Sequence, residues 1–320
     1  MIDKDVSDQI LEQVDAIENA KVLLGLMEWP QAKQFFKLSY SARNRWGPQL
    51  EDDERNKIEQ EKEEDWKEIY EEACAGLATS GPFLEDDVEI KDLPNEQNVQ
   101  DYISDFTNSD YFLEVFGSIN SSYWDIKMIP IESLVAWQPY VTTQAHKEIP
   151  TTDQGIIDTL QYCLPADVKN YIQTNIESHS KSSASVRVVS RSPNIDFRKP
   201  KIQSISDRPA GNVSIDINIV ARPNFVTVVK FGNRYILKNG YHRCFQLLKA
   251  GEKYVPAVLR YGQNFQQTGA ADSGWFGQGM ILGQRPPLVS DFLTDVAVDM
   301  DIKSTNTMIQ LLIQKLSVSI

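Results

Sequence analysis

The sequence predicts an α+β protein, and three patterns carry that expectation. Two β-rich runs at 225–231 and 234–238 flank Gly232-Asn233 and read as a hairpin. Helical spacing follows at once in Cys244, Leu247 and Leu248, Gly251 stands as a C-terminal cap, and 254–260 reads as a further strand. The amino-terminal part, by contrast, is rich in helical runs. A small mixed sheet with helices, preceded by an α-helical module, is the architecture these patterns describe.

From the amino terminus, Val14, Ile17, Ala20, Leu23 and Leu24 form a helical stripe within the first 48 residues, and Trp29-Pro30 marks a break. A second helix is expected over 34–45. The run 51–77 reads as a long charged helix with Ile58, Trp66, Ile69, Tyr70 and Ala73 as its sparse apolar positions. Its first part, 51–72, sets twelve acids against four bases, a solvated face or a surface for a protein partner. Ser80-Gly81-Pro82 closes an acidic helical module at 1–80.

An acidic, aromatic connecting segment covers 81–124. With no bases interleaved, Tyr102, Phe106, Tyr111, Phe112, Phe116, Tyr123 and Trp124 are expected to pack on the next domain rather than stack on nucleobases. That domain is placed at 125–262, with an insertion at about 147–212. Inside the insertion, Thr151 or Thr152 caps a helix carrying Ile156, Ile157, Leu160 and Cys163; Leu164-Pro165 breaks it, and a helix resumes over 168–176. A polar connection at 179–185 leads to strands at 185–190 and 213–220, with the basic tract Arg198-Lys199-Pro200-Lys201 exposed between them. The carboxy-terminal part, 263–320, holds a Gln- and Gly-rich flap around Trp275-Phe276, a helix capped by Ser290, and a closing helix over 305–316 with Met308, Leu311, Leu312 and Leu316 as its stripe.

Composition bounds the function. Of 320 residues, 41% are hydrophobic and 24% charged, as in globular proteins generally. No apolar run approaches the roughly 18–20 residues that span a bilayer, so no membrane partner is expected. The first residues, Met1-Ile2-Asp3-Lys4-Asp5, do not resemble a signal peptide, and a cytoplasmic setting is expected. Cys74, Cys163 and Cys244 are too far apart for a zinc pattern, and His146, His179 and His242 stand at no ligand spacing, so no metal site is expected. The net charge of −13 is uneven: 181–262 carries fifteen Lys and Arg against four acids, a net of +11, leaving −24 elsewhere. Basic charge there suits a nucleotide, DNA or RNA, or else pairs with the acidic half of the same chain.

The pentapeptide Asn239-Gly240-Tyr241-His242-Arg243 falls at the strand-to-helix junction of this basic region. Gly240 permits a tight turn there, and a helix start presents backbone N–H groups and positive dipole to one spot, which suits a phosphate. His242 and Arg243 would add donors, Arg243 as a planar fork. His242 is the candidate for acid–base work. Tyr241 either stacks on a base or packs, and Arg222 and Arg234 on the neighbouring strands are candidates for further positive charge. Paired carboxylates, a Ser-His-Asp order and a Walker lysine are all absent from the pattern.

Hairpin, Gly-x-His-Arg opening a helix, then a Val-Pro strand: in this order the elements resemble the ParB/sulfiredoxin superfamily, most clearly over 225–262. The stretch 128–141, with its Gln138-Pro139 turn, is similar to the family's first strand. The resemblance implies a small α+β fold that binds nucleotide phosphates through Asn239, Gly240, Tyr241, His242 and Arg243, with Mg²⁺ as the usual companion. It implies a phosphotransferase, nucleotide hydrolase or nuclease. Three departures stand against direct transfer of activity. Tyr241 occupies the place of the sulfiredoxin cysteine, and Cys244 lies beyond the His-Arg pair as a core thiol. ParB proteins carry Gly-Glu-Arg-Arg here, and the serine kinases an acid where this chain has Asn239. A non-enzymatic interaction scaffold, or a DNA-associated protein that has lost catalysis, is the alternative. No helix-turn-helix is evident, which argues against a partition protein.

Overall fold

The structure, a computed structural model, describes residues 17–43, 52–78, 88–144, 149–150, 155–166, 172–180, 183–190, 195–197, 201–205, 212–221, 224–272, 274–303 and 307–314. In chain order come β1 (Ile17–Val22), α1 (Trp29–Arg43), α2 (Asp52–Ala78), α3 (Gln97–Thr107), α4 (Asp110–Phe116), β2 (Trp124–Pro130), β3 (Leu134–Val135), β4 (Tyr140–Thr142) and α5 (Ile156–Cys163). Six strands follow: β5 (Ile172–Ser180), β6 (Ser183–Ser190), β7 (Ile195–Phe197), β8 (Lys201–Ile205), β9 (Asn212–Asp216) and β10 (Ile219–Ala221). The last part holds β11 (Thr227–Phe231), β12 (Arg234–Asn239), α6 (Tyr241–Lys249), β13 (Tyr254–Tyr261), the short α7 (Gln278–Ile281), β14 (Val298–Lys303) and β15 (Thr307–Gln314). Helices beside mixed sheets make this an α+β chain, as the sequence predicts.

The chain divides into two units. The larger, Ala16–Ala166 with Phe225–Ser304, contains the predicted hairpin. Its five-stranded sheet runs β2-β13-β11-β12-β3, antiparallel at β2/β13 and β11/β12 and parallel at β11/β13 and β12/β3. Gly232, at φ +58°, makes the hairpin turn. At the other end of β12 a bulge breaks the register: Val228 faces Leu237 and Thr227 faces Asn239, so Lys238 is the extra residue. A second sheet of order β14-β1-β4 completes this unit. The aromatic segment packs into this unit except for Tyr123, which is 42% exposed. Phe106 meets Phe225 edge-on at 5.0 Å and Phe112 meets Trp124 at 4.9 Å; the three phenylalanines lie in the core and Trp124 packs against it.

The charged helix α2 docks by one face. Its Trp66 stacks on Phe36 of α1 at 5.6 Å, Tyr70 donates to the Met27 carbonyl at 2.8 Å, and Ala73 is buried. Glu61, Glu64, Glu68, Glu71 and Glu72 remain at the half-buried or exposed outer side. The Gln- and Gly-rich flap is pinned by its aromatic anchor, Trp275 against Phe35 at 4.6 Å. Beyond it, Arg285 forks onto Asp291, which is 3% exposed, while the same carboxylate accepts the Leu288 N–H at 2.7 Å. That carboxylate, rather than Ser290, caps the short 3-10 turn at Val289–Leu293.

The smaller unit joins 1–15, 167–224 and 305–320. It contains a β15-β6-β5 sheet and the two-stranded pairs β10-β7 and β8-β9. Val226 N–H bonds the Cys163 carbonyl at 2.9 Å, so the larger unit's chain departs and returns at neighbouring points.

Four helical expectations are corrected. Residues 17–22 form β1, which pairs with both β14 and β4, and the buried positions Ala20 and Val22 alternate with Lys21. Trp29-Pro30 begins a helix instead of breaking one, because proline lacks only an N–H that the first turn leaves unused. Residues 172–180 form β5 and 307–314 form β15, both paired with β6. In each, β-branched or alternating apolar residues satisfy a strand as well as a helix, and the partner strand decides. Of the polar connection expected at 179–185, the described ends belong to β5 and β6, which pair with each other, and 181–182 lie outside the described residues. Thr151, Thr152, His146, Arg198, Lys199 and Arg222 lie outside the described residues. Among the described residues, no helix is long and apolar enough to cross a membrane, and no group of three potential metal ligands assembles.

Candidate functional site

The junction forms where the sequence places it. β12 ends at Asn239, half-buried and opposite Thr227, and Gly240 caps α6 in the left-handed region at φ +99°. A side chain at 240 is excluded twice, by this φ and by space. A Cβ there would lie 2.8 Å from Val226 Cγ2 and 3.0 Å from Val226 Cα. Gly240→Ala is expected to cost about 2–4 kcal/mol, left-handed strain and overpacking together, read as a shift in urea midpoint. No side chain caps the helix at Gly240; Cys244 N–H returns to the Gly240 carbonyl at 2.9 Å, and the positive dipole end faces this turn.

Successive residues of α6 point about 100° apart, and the three after Gly240 enter three different surroundings. Tyr241 is 3% exposed. Its hydroxyl donates to the Leu237 carbonyl and accepts the Trp137 N–H at 3.1 Å, and burial pushes its phenol well above the ordinary range. Between stacking on a base and packing, its position is packing.

His242 is half-buried, and its Nδ1 accepts the Thr142 N–H at 3.0 Å, with Thr142 Oγ1 at 3.1 Å. A nitrogen that accepts a backbone N–H carries no proton, so the neutral ring is protonated on Nε2. One turn on, Gln246 donates to the Thr143 carbonyl at 3.0 Å. The two residues fasten α6 to β4 and so join the two sheets.

Arg243, in the first turn of α6, carries its charge near the buried groups at the end of α5. Burial pushes the Tyr162 phenol and the Cys244 thiol each up to about 12 and Cys163 well above its usual value, and the Arg243 guanidinium opposes all three shifts. Both cysteines are buried and free, so Cys244 is the core thiol the sequence describes. His242 Nδ1 is thus committed to β4, and Arg243 follows it in the same first turn of α6.

Arg234 sits at the opposite end of β12, about 17 Å of strand from Asn239. It is 5% exposed and donates to the Gly283 carbonyl at 2.6 Å, so it adds no charge at the junction. Lys238, Trp137 and Thr142 stand near the junction and escaped sequence reasoning. Each arrives through a bulge or through pairing with distant chain, which no local window contains.

No family model, no curated protein and no solved structure matches this chain. The function therefore rests on the site itself.

Proposed function

We propose that this chain is a nucleotide- or phosphate-binding protein of ParB/sulfiredoxin-like type, with the Gly240 turn and the start of α6 as its anion cradle. The supporting observation is the left-handed Gly240, which holds the amino end of a nine-residue helix without a capping side chain. Arg243 in the first turn supplies charge, and a bound nucleotide would bring Mg²⁺ as its usual counter-ion. Phosphoryl transfer, nucleotide hydrolysis and nuclease cleavage are the reactions open to such a cradle. In any of them His242 presents a proton at Nε2.

Titration calorimetry with ATP, CTP and GTP, with and without Mg²⁺, tests the reading. Arg243→Ala is expected to weaken binding by about 2 kcal/mol, roughly 30-fold, as for loss of a charge-assisted contact. Unchanged affinity in a folded variant overturns it.

A second reading, an interaction scaffold without catalysis, draws on one observation: Tyr241 and His242 Nδ1 are both committed to internal hydrogen bonds. The same titration separates the two, because a scaffold binds none of the nucleotides.

A further inference from the structure

β15 differs from every other strand of the smaller unit. It runs eight residues, Thr307–Gln314, at the rim of the β15-β6-β5 sheet. Along its whole length it pairs with β6 and, among the described residues, with nothing on its other side. β5, at the opposite rim, carries Glu177, and a register shift between Ser178 and Ser180 breaks its regularity; both features discourage a further strand. β6, β8 and β9 carry Arg187, Lys201 and Asp216. Of the unit's described strands longer than three residues, β15 alone has no charged residue, and it has no proline or glycine either. A long, regular, uncharged rim is a template for another strand.

The register says which strand fits. Opposed residues of an antiparallel pair share a face. Ile309, Leu311 and Ile313 fall on one face with Val186, Val188 and Ile176, and Val188 is 3% exposed, so that face is covered. On the other face β5 and β6 place Gln173, Asn175, Glu177, Ser185 and Arg187, with Val189 the apolar member. To this polar face β15 adds Met308 and Leu312, two apolar residues at its open edge. Two copies of β15 laid edge to edge and antiparallel are related by a two-fold axis normal to the sheet. Their faces then match only where opposed residue numbers add to an even value. The register centred on Gln310 sets Met308 opposite Leu312 on both sides of the axis, Ile309 opposite Leu311, and Gln310 opposite itself. Like meets like at each of these positions. Centring on Leu311 instead sets Gln310 against Leu312 and Met308 against Gln314.

We propose that the open edge of β15 is a self-association surface: it pairs with β15 of a second copy of this chain, antiparallel about Gln310, and continues the three-stranded sheet into the second copy's own. With one such edge per chain, the assembly closes as a two-fold dimer and grows no further. It does not depend on the α6 cradle.

Sedimentation equilibrium of the full chain tests it, and a concentration-dependent equilibrium between monomer and dimer is expected. Met308→Lys/Leu312→Lys sets ammonium against ammonium at both paired positions and should weaken the dimer by about tenfold or more. Met308→Glu/Leu312→Lys sets opposite charges at the same positions and should restore it. Mild oxidation of Gln310→Cys should give a covalent dimer, since opposed positions at the axis lie within disulfide reach, whereas wild type with its own three cysteines should not. A monomer at every concentration, the result if the chain's own residues cover this edge, overturns the proposal. So does a dimer that tolerates the paired lysines. Failure of the charge swap to restore the dimer, or of Gln310→Cys to cross-link, overturns the register, and growth beyond two chains overturns the closure. Where the lysine variant loses its circular-dichroism spectrum, the Gln310→Cys cross-link decides.

Discussion

Asp291→Ala should lose about 3–5 kcal/mol of folding stability, measured as the urea midpoint multiplied by the slope of the transition. The carboxylate is 3% exposed and makes three charge-assisted contacts, two from the Arg285 fork and one from Leu288 N–H. Removing it leaves a guanidinium that is only 20% exposed without its counter-charge, and it also uncaps the 3-10 turn that carries the buried Phe292 into the edge of α6. Most of the loss is the orphaned charge, so the paired change Asp291→Ala/Arg285→Met should recover a good part of it. A loss below about 1 kcal/mol in the single variant would show that Arg285 reaches water and that the pair is marginal.

Gly25→Ala should be of comparable size, about 3 kcal/mol, for a steric reason. Gly25 lies in the 3-10 turn at Leu24–Leu26, and a Cβ there would sit 2.2 Å from the Ala73 carbonyl oxygen and 2.6 Å from its carbon. Both atoms belong to the α2 backbone, which cannot rotate aside as a side chain can. The helix must move away, loosening the Phe36–Trp66 stack and the Tyr70 bond to Met27. Faster hydrogen exchange confined to 52–78 is the accompanying signature, and an unperturbed α2 in a fully stable variant refutes the argument.

The segment 225–261 was legible because its signals are local. Gly232-Asn233 closes a two-residue hairpin, Gly240 and Gly251 bracket α6, and each needs only its neighbours in sequence to act. The strands β1, β5 and β15 were not, since what makes them strands is a partner elsewhere in the chain. The site divides along the same line. Gly240 announced itself; the commitment of His242 to Thr142 did not, because that contact spans 100 positions. The bulge at Lys238 was equally hidden: it exists only in the register between two strands, and either strand alone reads as regular.

The pairing of β1 with β14 also sets a timetable. Lys21 and Asp299, partners across that ladder, are 278 positions apart. At synthesis rates of about 5–20 residues per second, β1 emerges roughly 15–55 s before the strand that completes it. During that interval its Asp299-side edge has no native neighbour, and an unpaired edge invites pairing with other chains. β1 therefore completes its ladder only once β14 has been made, and the speed of translation sets how long that edge stays open.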